Sequence, residues 1–283
     1  MKKVAVMNDL SGFGKCSLTA AIPVLSALGI QCCPLPSAVL TGQTGYKYYH
    51  SKDLSDMIPL YTDAWRKNNV HFDGIYSGFM TGPEQINHFL DFIDTFYKDD
   101  TFLLTDPIMG DDGETYSIYS QNLLESMRIL SAKADLITPN LTEACLLTGD
   151  SFQQVTGYSD RDSLVKATSE IGQKLREQSG KNQDVVITGI KCKNDSKPYI
   201  YNIAITEKGI FTNKSDFFDV SFSGTGDLFA SVVCGCRING VSTEDSIKLA
   251  SSFLYHSIAD TMKDDTQPED GVNFEKFLIE LIK

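Results

Sequence analysis

The chain has 283 residues, 42% of them hydrophobic and 22% charged, with a formal net charge of −12. That composition suits a globular protein with a sizeable core, and the negative balance argues against nucleic acid or an anionic membrane as partner, because both select basic faces. Seven cysteines, at 16, 32, 33, 145, 192, 234 and 236, form no C-x-x-C pair and read as reduced thiols. With no apolar run long enough for a signal peptide or a membrane span, the expected location is the cytoplasm.

In chain order, short apolar runs at Val4–Met7, Gly74–Tyr76, Phe102–Thr105, Asp135–Ile137 and Val185–Thr188 read as buried strands. Between them, Ser17–Leu28, Leu54–Lys67, Pro83–Tyr97, Ser120–Leu130 and Ser163–Glu177 have helical periodicity. This alternation predicts an α/β fold with a mostly parallel central sheet and helices on both faces. Leu35–Tyr48, interrupted by turn residues and rich in aromatics, reads as a small flap. Pro198–Thr206 and Gly209–Asn213 predict an antiparallel hairpin turning at Glu207-Lys208, and three helices are expected from about Gly226, Thr243 and Phe274. No linker composition interrupts the chain, so residues 1–283 are expected to form one domain. Met57, Met80 and the Phe89–Phe92–Phe96 stripe read as core.

Ligands of such sheets sit at the carboxyl ends of the strands. These ends carry Asn8-Asp9, Ser77-Gly78, Asp106-Pro107, Thr138-Pro139-Asn140 and Thr188-Gly189, more like a lined cleft than ordinary polar loops. The most informative stretch is Gly224-Thr225-Gly226-Asp227, just before an apolar helical pattern. Amides at a helix N-terminus lack intrahelical partners, and glycine lets them approach an anion. A carboxylate there repels a phosphate unless it has a proton to take; the plainer alternative is a helix start favoured by an acidic residue. Asp106-Pro107-Ile108-Met109-Gly110-Asp111-Asp112-Gly113 gathers carboxylates in a tight loop, which suits Mg²⁺ but equally an acidic, solvated turn. Asn140 and Glu143 have capping-box spacing, which alone explains both residues; their coincidence with the other motifs favours a place near nucleotide phosphates. Gly12-Phe13-Gly14-Lys15-Cys16-Ser17 fits neither a Walker loop nor a dinucleotide fingerprint and reads as a tight start to a helix, with Lys15 an improbable phosphate ligand.

The ordered trio of Asp106–Asp111, Thr138–Glu143 and Gly224–Asp227 resembles the ribokinase superfamily, and Thr44-Gly45-Tyr46 its pyridoxal (vitamin B6) kinase branch. The resemblance spans Val4 to about Ala259 and implies a ribokinase-like three-layer sandwich with a small flap over the active site. It implies transfer of the ATP γ-phosphate to the 5′-hydroxymethyl group of pyridoxamine, pyridoxine or pyridoxal. Asp227 would be the general base, and the amides of Gly224, Thr225 and Gly226 the anion hole. Asp111 and Glu143 would hold Mg²⁺, directly or through water, with room for a monovalent cation; Asp106, Thr138, Asn140, Glu143, Thr188, Gly224 and Gly226 would line the ATP site. Asp9, Gln43, Thr44 and Phe79 would face the substrate ring, and a homodimer is expected. Asp9, Gln43 and Phe79 depart from the Ser, His and Tyr common in that branch, which leaves the preferred vitamer open, with pyridoxamine or pyridoxine expected to compete well with pyridoxal. A hydroxymethylpyrimidine kinase, which shares the scaffold, is the runner-up. A sugar kinase and a non-catalytic binding protein are weaker alternatives.

Overall fold

The computed structural model describes residues 1–158, 160–192 and 199–282. Contacts divide the chain into two compact units, one formed by residues 1–103 with 220–283 and one by residues 104–219.

The first unit opens with β1 (Lys3–Ser11), α1 (Ser17–Ala27), β2 (Gln31–Leu40), β3 (Ser51–Asp53), α2 (Met57–Lys67), β4 (Gly74–Ser77) and α3 (Pro83–Phe96). Here β1 pairs in parallel with both β2 and β4, while β3 runs antiparallel along Ala38–Leu40 of β2. Val4–Met7 are completely buried at the centre. A register shift between Asn8 and Leu10 interrupts the pairing of β1 with β2 just where the strand turns polar. The expected flap is half strand: β2 takes Leu35–Leu40, which Pro34 and Pro36 obscured. The two prolines lie two residues apart, so their missing donors fall on one side, and β3 leaves that side open beside them. Trp65, Phe72, Phe92 and Phe96 form an aromatic cluster between α2 and the α3 side of the core. Phe89 and Met80 are buried as expected, but Met57 begins α2 and is 37% exposed.

Strand β5 (Phe102–Thr105) carries the chain from the first unit into the second. The second unit continues with β6 (Gly110–Asp111), β7 (Glu114–Thr115), α4 (Gln121–Lys133), β8 (Leu136–Ile137), α5 (Leu141–Thr148), α6 (Phe152–Thr156), α7 (Arg161–Ser179), β9 (Asp184–Lys191), β10 (Tyr199–Thr206) and β11 (Gly209–Asp216). Leu104–Thr105 of β5 pairs in parallel with β8, and β8 in parallel with β9. The expected hairpin is β10–β11, antiparallel throughout and joined to β9 antiparallel; Pro198 lies outside the described residues. Helix α7 covers β9 and β10 through Gly172, where a Cβ would lie 2.3 Å from a methyl carbon of Ile205.

The chain then returns to the first unit with α8 (Thr225–Ile238) and α9 (Thr243–Thr261). Helix α8 packs on α1, α9 and β4, and a Cβ on Gly74 would strike the Ile238 side chain at 2.4 Å. The third closing helix expected from Phe274 is a 3-10 helix over Glu275–Leu281.

Candidate active site

In the first unit the polar end of β1 meets the start of α8. Gly224 is the N-cap of α8, with φ +80°, and a Cβ there would lie 2.0 Å from the Lys15 carbonyl oxygen. Only glycine fits both the left-handed backbone and that close approach. A Cβ on Gly226, one residue into the helix, would meet nothing within 4 Å, so the first turn faces open space there. The first-turn amides of Thr225, Gly226 and Asp227 are the kind that bind anions, since α-helical bonding leaves them without partners. Asp227 is buried in that turn, accepts from Asn8 Nδ2 at 3.0 Å and from the Ser17 backbone N–H, and is pushed up to about 6 by burial, with Asp9 adding to the rise. Such a carboxyl group is ionised at neutral pH yet remains a competent proton acceptor.

Asp9 is buried beside it and accepts from the hydroxyls of Ser11 (2.8 Å) and Ser17. Burial raises its proton affinity, and the two hydroxyls oppose that rise. Ser17, with φ +51° at the start of α1, donates to both carboxyl groups, its hydroxyl to Asp9 and its backbone N–H to Asp227. Cys16, the N-cap of α1, is pushed up to about 12 by burial and by Asp227 and Asp9, so it stays a thiol.

Gln43 is buried, and both ends of its amide are used. Nε2 donates to Ser223 Oγ (3.2 Å) and to the Glu269 carbonyl (3.0 Å), and Oε1 accepts from the Gly45 N–H (2.7 Å). Tyr46 donates its hydroxyl to the Asp270 carboxylate and stands 5.3 Å from the exposed ring of Phe13. The loop containing Gln43 and the exposed Thr44 is thus tied to the residue preceding Gly224. Phe79 is half-buried after β4, its N–H on Asn8 Oδ1 at 2.8 Å. Lys15 is held by Asn273 (2.7 Å) and Glu275 (2.8 Å). Asn8, Ser11, Ser17, Ser223 and Asp270 had no assigned role in the sequence; only the polar strand end Asn8-Asp9 gave a signal.

The second unit brings together Asp106 just after β5, Asp111 in β6, Thr138 and Asn140 just after β8, Glu143 in α5 and Thr188 within β9. Thr138 Oγ1 donates to buried Asp106 at 2.9 Å, and Asn140 bridges to Thr188 as a parallel β-bridge. The capping box is formed: Asn140 Oδ1 accepts from the Glu143 N–H and Glu143 Oε2 from the Asn140 N–H, both at 2.9 Å. Asn140 also donates Nδ2 to the Gly110 carbonyl (2.7 Å), and Glu143 Oε1 accepts from the Met109 N–H (3.1 Å), so both residues brace the acidic loop. That loop is the β6–β7 hairpin, turned by Asp112 and Gly113 at φ +47° and +85°, with Asp111 exposed. Glu143 is buried, and its proton affinity is driven well up by burial and by the nearby Asp106 and Asp111.

Among the described residues no three acidic, histidine or cysteine groups converge closely enough to ligate one metal ion directly. The mutual repulsion of Asp106, Asp111 and Glu143 is nevertheless what a divalent cation would relieve. Mg²⁺ usually takes one or two carboxylates and keeps several waters, so these oxygen donors fit a hydrated ion.

A helix N-terminus beside open space, with a buried carboxylate in its first turn, suits group transfer on an α/β fold. Residues 16–271 match the phosphomethylpyrimidine kinase family, and the chain belongs to that family. A Bacteroides thetaiotaomicron protein assigned to the phosphomethylpyrimidine kinases and crystallised with pyridoxal is similar over 99% of this chain and 95% of its own, with 33% identity and a TM-score of 0.90. Pyridoxal kinase from Lactobacillus plantarum shares 26% identity over 99% of this chain and 96% of its own, with a TM-score of 0.88. Human pyridoxal kinase is 26% identical over 231 residues, 76% of this chain and 70% of its own length. The chain is an ATP-dependent phosphotransferase with a mostly parallel central sheet, as expected from the sequence. Among the described residues no helix is long and apolar enough to cross a membrane.

Proposed function

We propose that the chain phosphorylates the 5′-hydroxymethyl group of a B6 vitamer with ATP, giving the 5′-phosphate. The observation that carries this reading is Asp227, a buried carboxyl group pushed up to about 6, in the first turn of a helix that faces open space at Gly226. Asp227 takes the hydroxyl proton as the oxygen attacks, and the turn's amides stabilise charge developing on the phosphoryl group. Asp111 and Glu143 would hold Mg²⁺, directly or through water, and Asp106, Thr138, Asn140 and Thr188 would line the nucleotide phosphates. Mg²⁺ would supply positive charge against the phosphates in a chain whose net charge is −12; a monovalent cation belongs to the same proposal. Asp9, Thr44 and Phe79 contact the ring, with Asp9 favouring a protonated ring nitrogen or an amine. Gln43, its amide already committed, acts on that pocket by holding the loop. Residues 1–283 work as one kinase domain, cytoplasmic and homodimeric.

Pyridoxal in the crystals of the Bacteroides protein supports the B6 reading. The matching family description favours a second one, phosphorylation of a hydroxymethylpyrimidine. An ATP-consumption screen with pyridoxal, pyridoxine, pyridoxamine, hydroxymethylpyrimidine and several sugars, with and without Mg²⁺, separates them. The B6 reading expects Mg²⁺-dependent turnover highest on a vitamer. Turnover confined to the pyrimidine or to a sugar overturns it.

A further inference from the structure

Asn8 is fully buried at the polar end of β1, and its amide has a single consistent orientation. Oδ1 accepts from two backbone donors, the N–H of Asp9 at 3.0 Å and that of Phe79 at 2.8 Å. Exchanging the amide ends would set the NH₂ against both donors, so the oxygen stays where it is. Nδ2 is thereby turned onto Asp227 Oδ1 at 3.0 Å. Gly78 makes the fit close, because a Cβ there would lie 2.3 Å from Nδ2.

Three segments far apart in sequence meet on this one amide: the end of β1, the loop after β4 and the first turn of α8. The groups that shape Asp227 are Asn8 and Asp9 from β1 and the Ser17 N–H from α1, with the thiol of Cys16 also close enough to feel its charge. Asp9 and Cys16 are the titratable ones, and neither supplies positive charge. The donors Asn8 and Ser17 therefore stabilise the ionised form against burial and against Asp9. A carboxylate held by two donors also has a fixed plane, which leaves its remaining lone pairs aimed in one direction.

We infer that Asn8 is the positioning residue for Asp227: it orients the carboxylate, sustains its ionised form and ties it to the Phe79 loop. The inference rests on Asp227 being the base of the proposed reaction. An Asn whose donor is removed should leave a carboxylate that holds its proton more tightly, not merely a looser fold.

The test compares Asn8→Ala, Asn8→Ser and the isosteric Asn8→Asp with wild type, reading kcat and KM across pH 5–9 with the alcohol that wild type uses best. In Asn8→Ala the acidic limb of kcat/KM moves up by about one pH unit, because a hydrogen bond to an ionised group is lost. Asn8→Ser keeps a hydroxyl donor and moves less, while Asn8→Asp sets a second carboxylate against Asp227 and moves most. The KM for ATP stays within about twofold of wild type. A second measurement needs no turnover: urea unfolding of wild type and Asn8→Ser at pH 5 and pH 8. The unfolding constant of the variant rises by a larger factor across that interval, about tenfold more per unit of pKa shift. A limb unmoved in folded Asn8 variants, or an unchanged pH dependence of unfolding, overturns the inference. Absence of turnover by wild type on every alcohol overturns the functional reading instead, and the unfolding measurement still decides the role of Asn8.

Discussion

An Asp227→Asn substitution keeps the shape of the side chain and removes its charge, so it weighs catalysis against stability at one position. Burial raises the Asp227 carboxyl group from 3.8 to about 6, which means that the fold prefers its protonated form. That preference contributes stability in full below pH about 4, and the contribution is lost as pH rises through about 6. At pH 8 the ionised group therefore costs the wild type roughly 3 kcal/mol, two pKa units at about 1.4 kcal/mol each. The variant escapes this cost. Against it stands one lost acceptor, since the carboxylate receives both Asn8 Nδ2 and the Ser17 N–H and the amide offers only one oxygen. That loss is worth about 1 kcal/mol. The net expectation is a variant more stable by about 2 kcal/mol at pH 8 and slightly less stable than wild type at pH 4. Phosphotransfer falls by about 10²–10⁴-fold. Urea unfolding at one-unit intervals from pH 4 to pH 8 measures the difference directly. A variant that is less stable at pH 8, or a difference that does not change with pH, refutes the assignment of a strained charge to Asp227.

Gly224→Ala and Gly226→Ala should behave oppositely. The first forces a Cβ against the Lys15 carbonyl in a left-handed backbone, and should destabilise by roughly 3 kcal/mol and lower kcat by at least 10²-fold. The second enters open space, and thermal unfolding should show stability unchanged or raised by about 0.5–1 kcal/mol; any loss of activity then reports crowding of the phosphate. Asp9→Ser should change the ratio of kcat/KM among pyridoxal, pyridoxine and pyridoxamine, moving preference away from the amine by about tenfold. Equal ratios before and after would exclude Asp9 from the ring pocket.

Features written in a short window of sequence were legible. The capping box of Asn140 and Glu143 was visible from its spacing, and the turn at Glu207-Lys208 from the break between two β-rich runs. The buried strands β1, β4, β5 and β9 announced themselves as apolar runs. Strand β2 did not, because Pro34 and Pro36 look like loop residues until it is known that one side of the strand is unpaired there. The last helix looked regular because its apolar spacing fits either a 3-10 or an α-helical turn over seven residues. Partners distant in sequence were hidden most completely. Nothing near Asn8 says that its amide serves Asp227, 219 residues later, and nothing near Gln43 points to Ser223 or Glu269. A single amide's allegiance is decided by which backbones fold past it, and that information is spread over the whole chain.

The interrupted course of the first unit has a consequence for synthesis. Residues 104–219 form a compact unit of their own, and they are made before the chain reaches α8 and α9. Until then α1 and β4 lack the helix that covers them, and the faces that will receive Gly235 and Ile238, at Leu25, Leu28 and Gly74, stand open to water. At translation speeds of 5–20 residues per second the wait lasts on the order of 10 s. The N-terminal third of this chain is thus the portion a ribosome-bound chaperone would have most reason to hold, and Asp227 arrives together with the helix that ends the exposure.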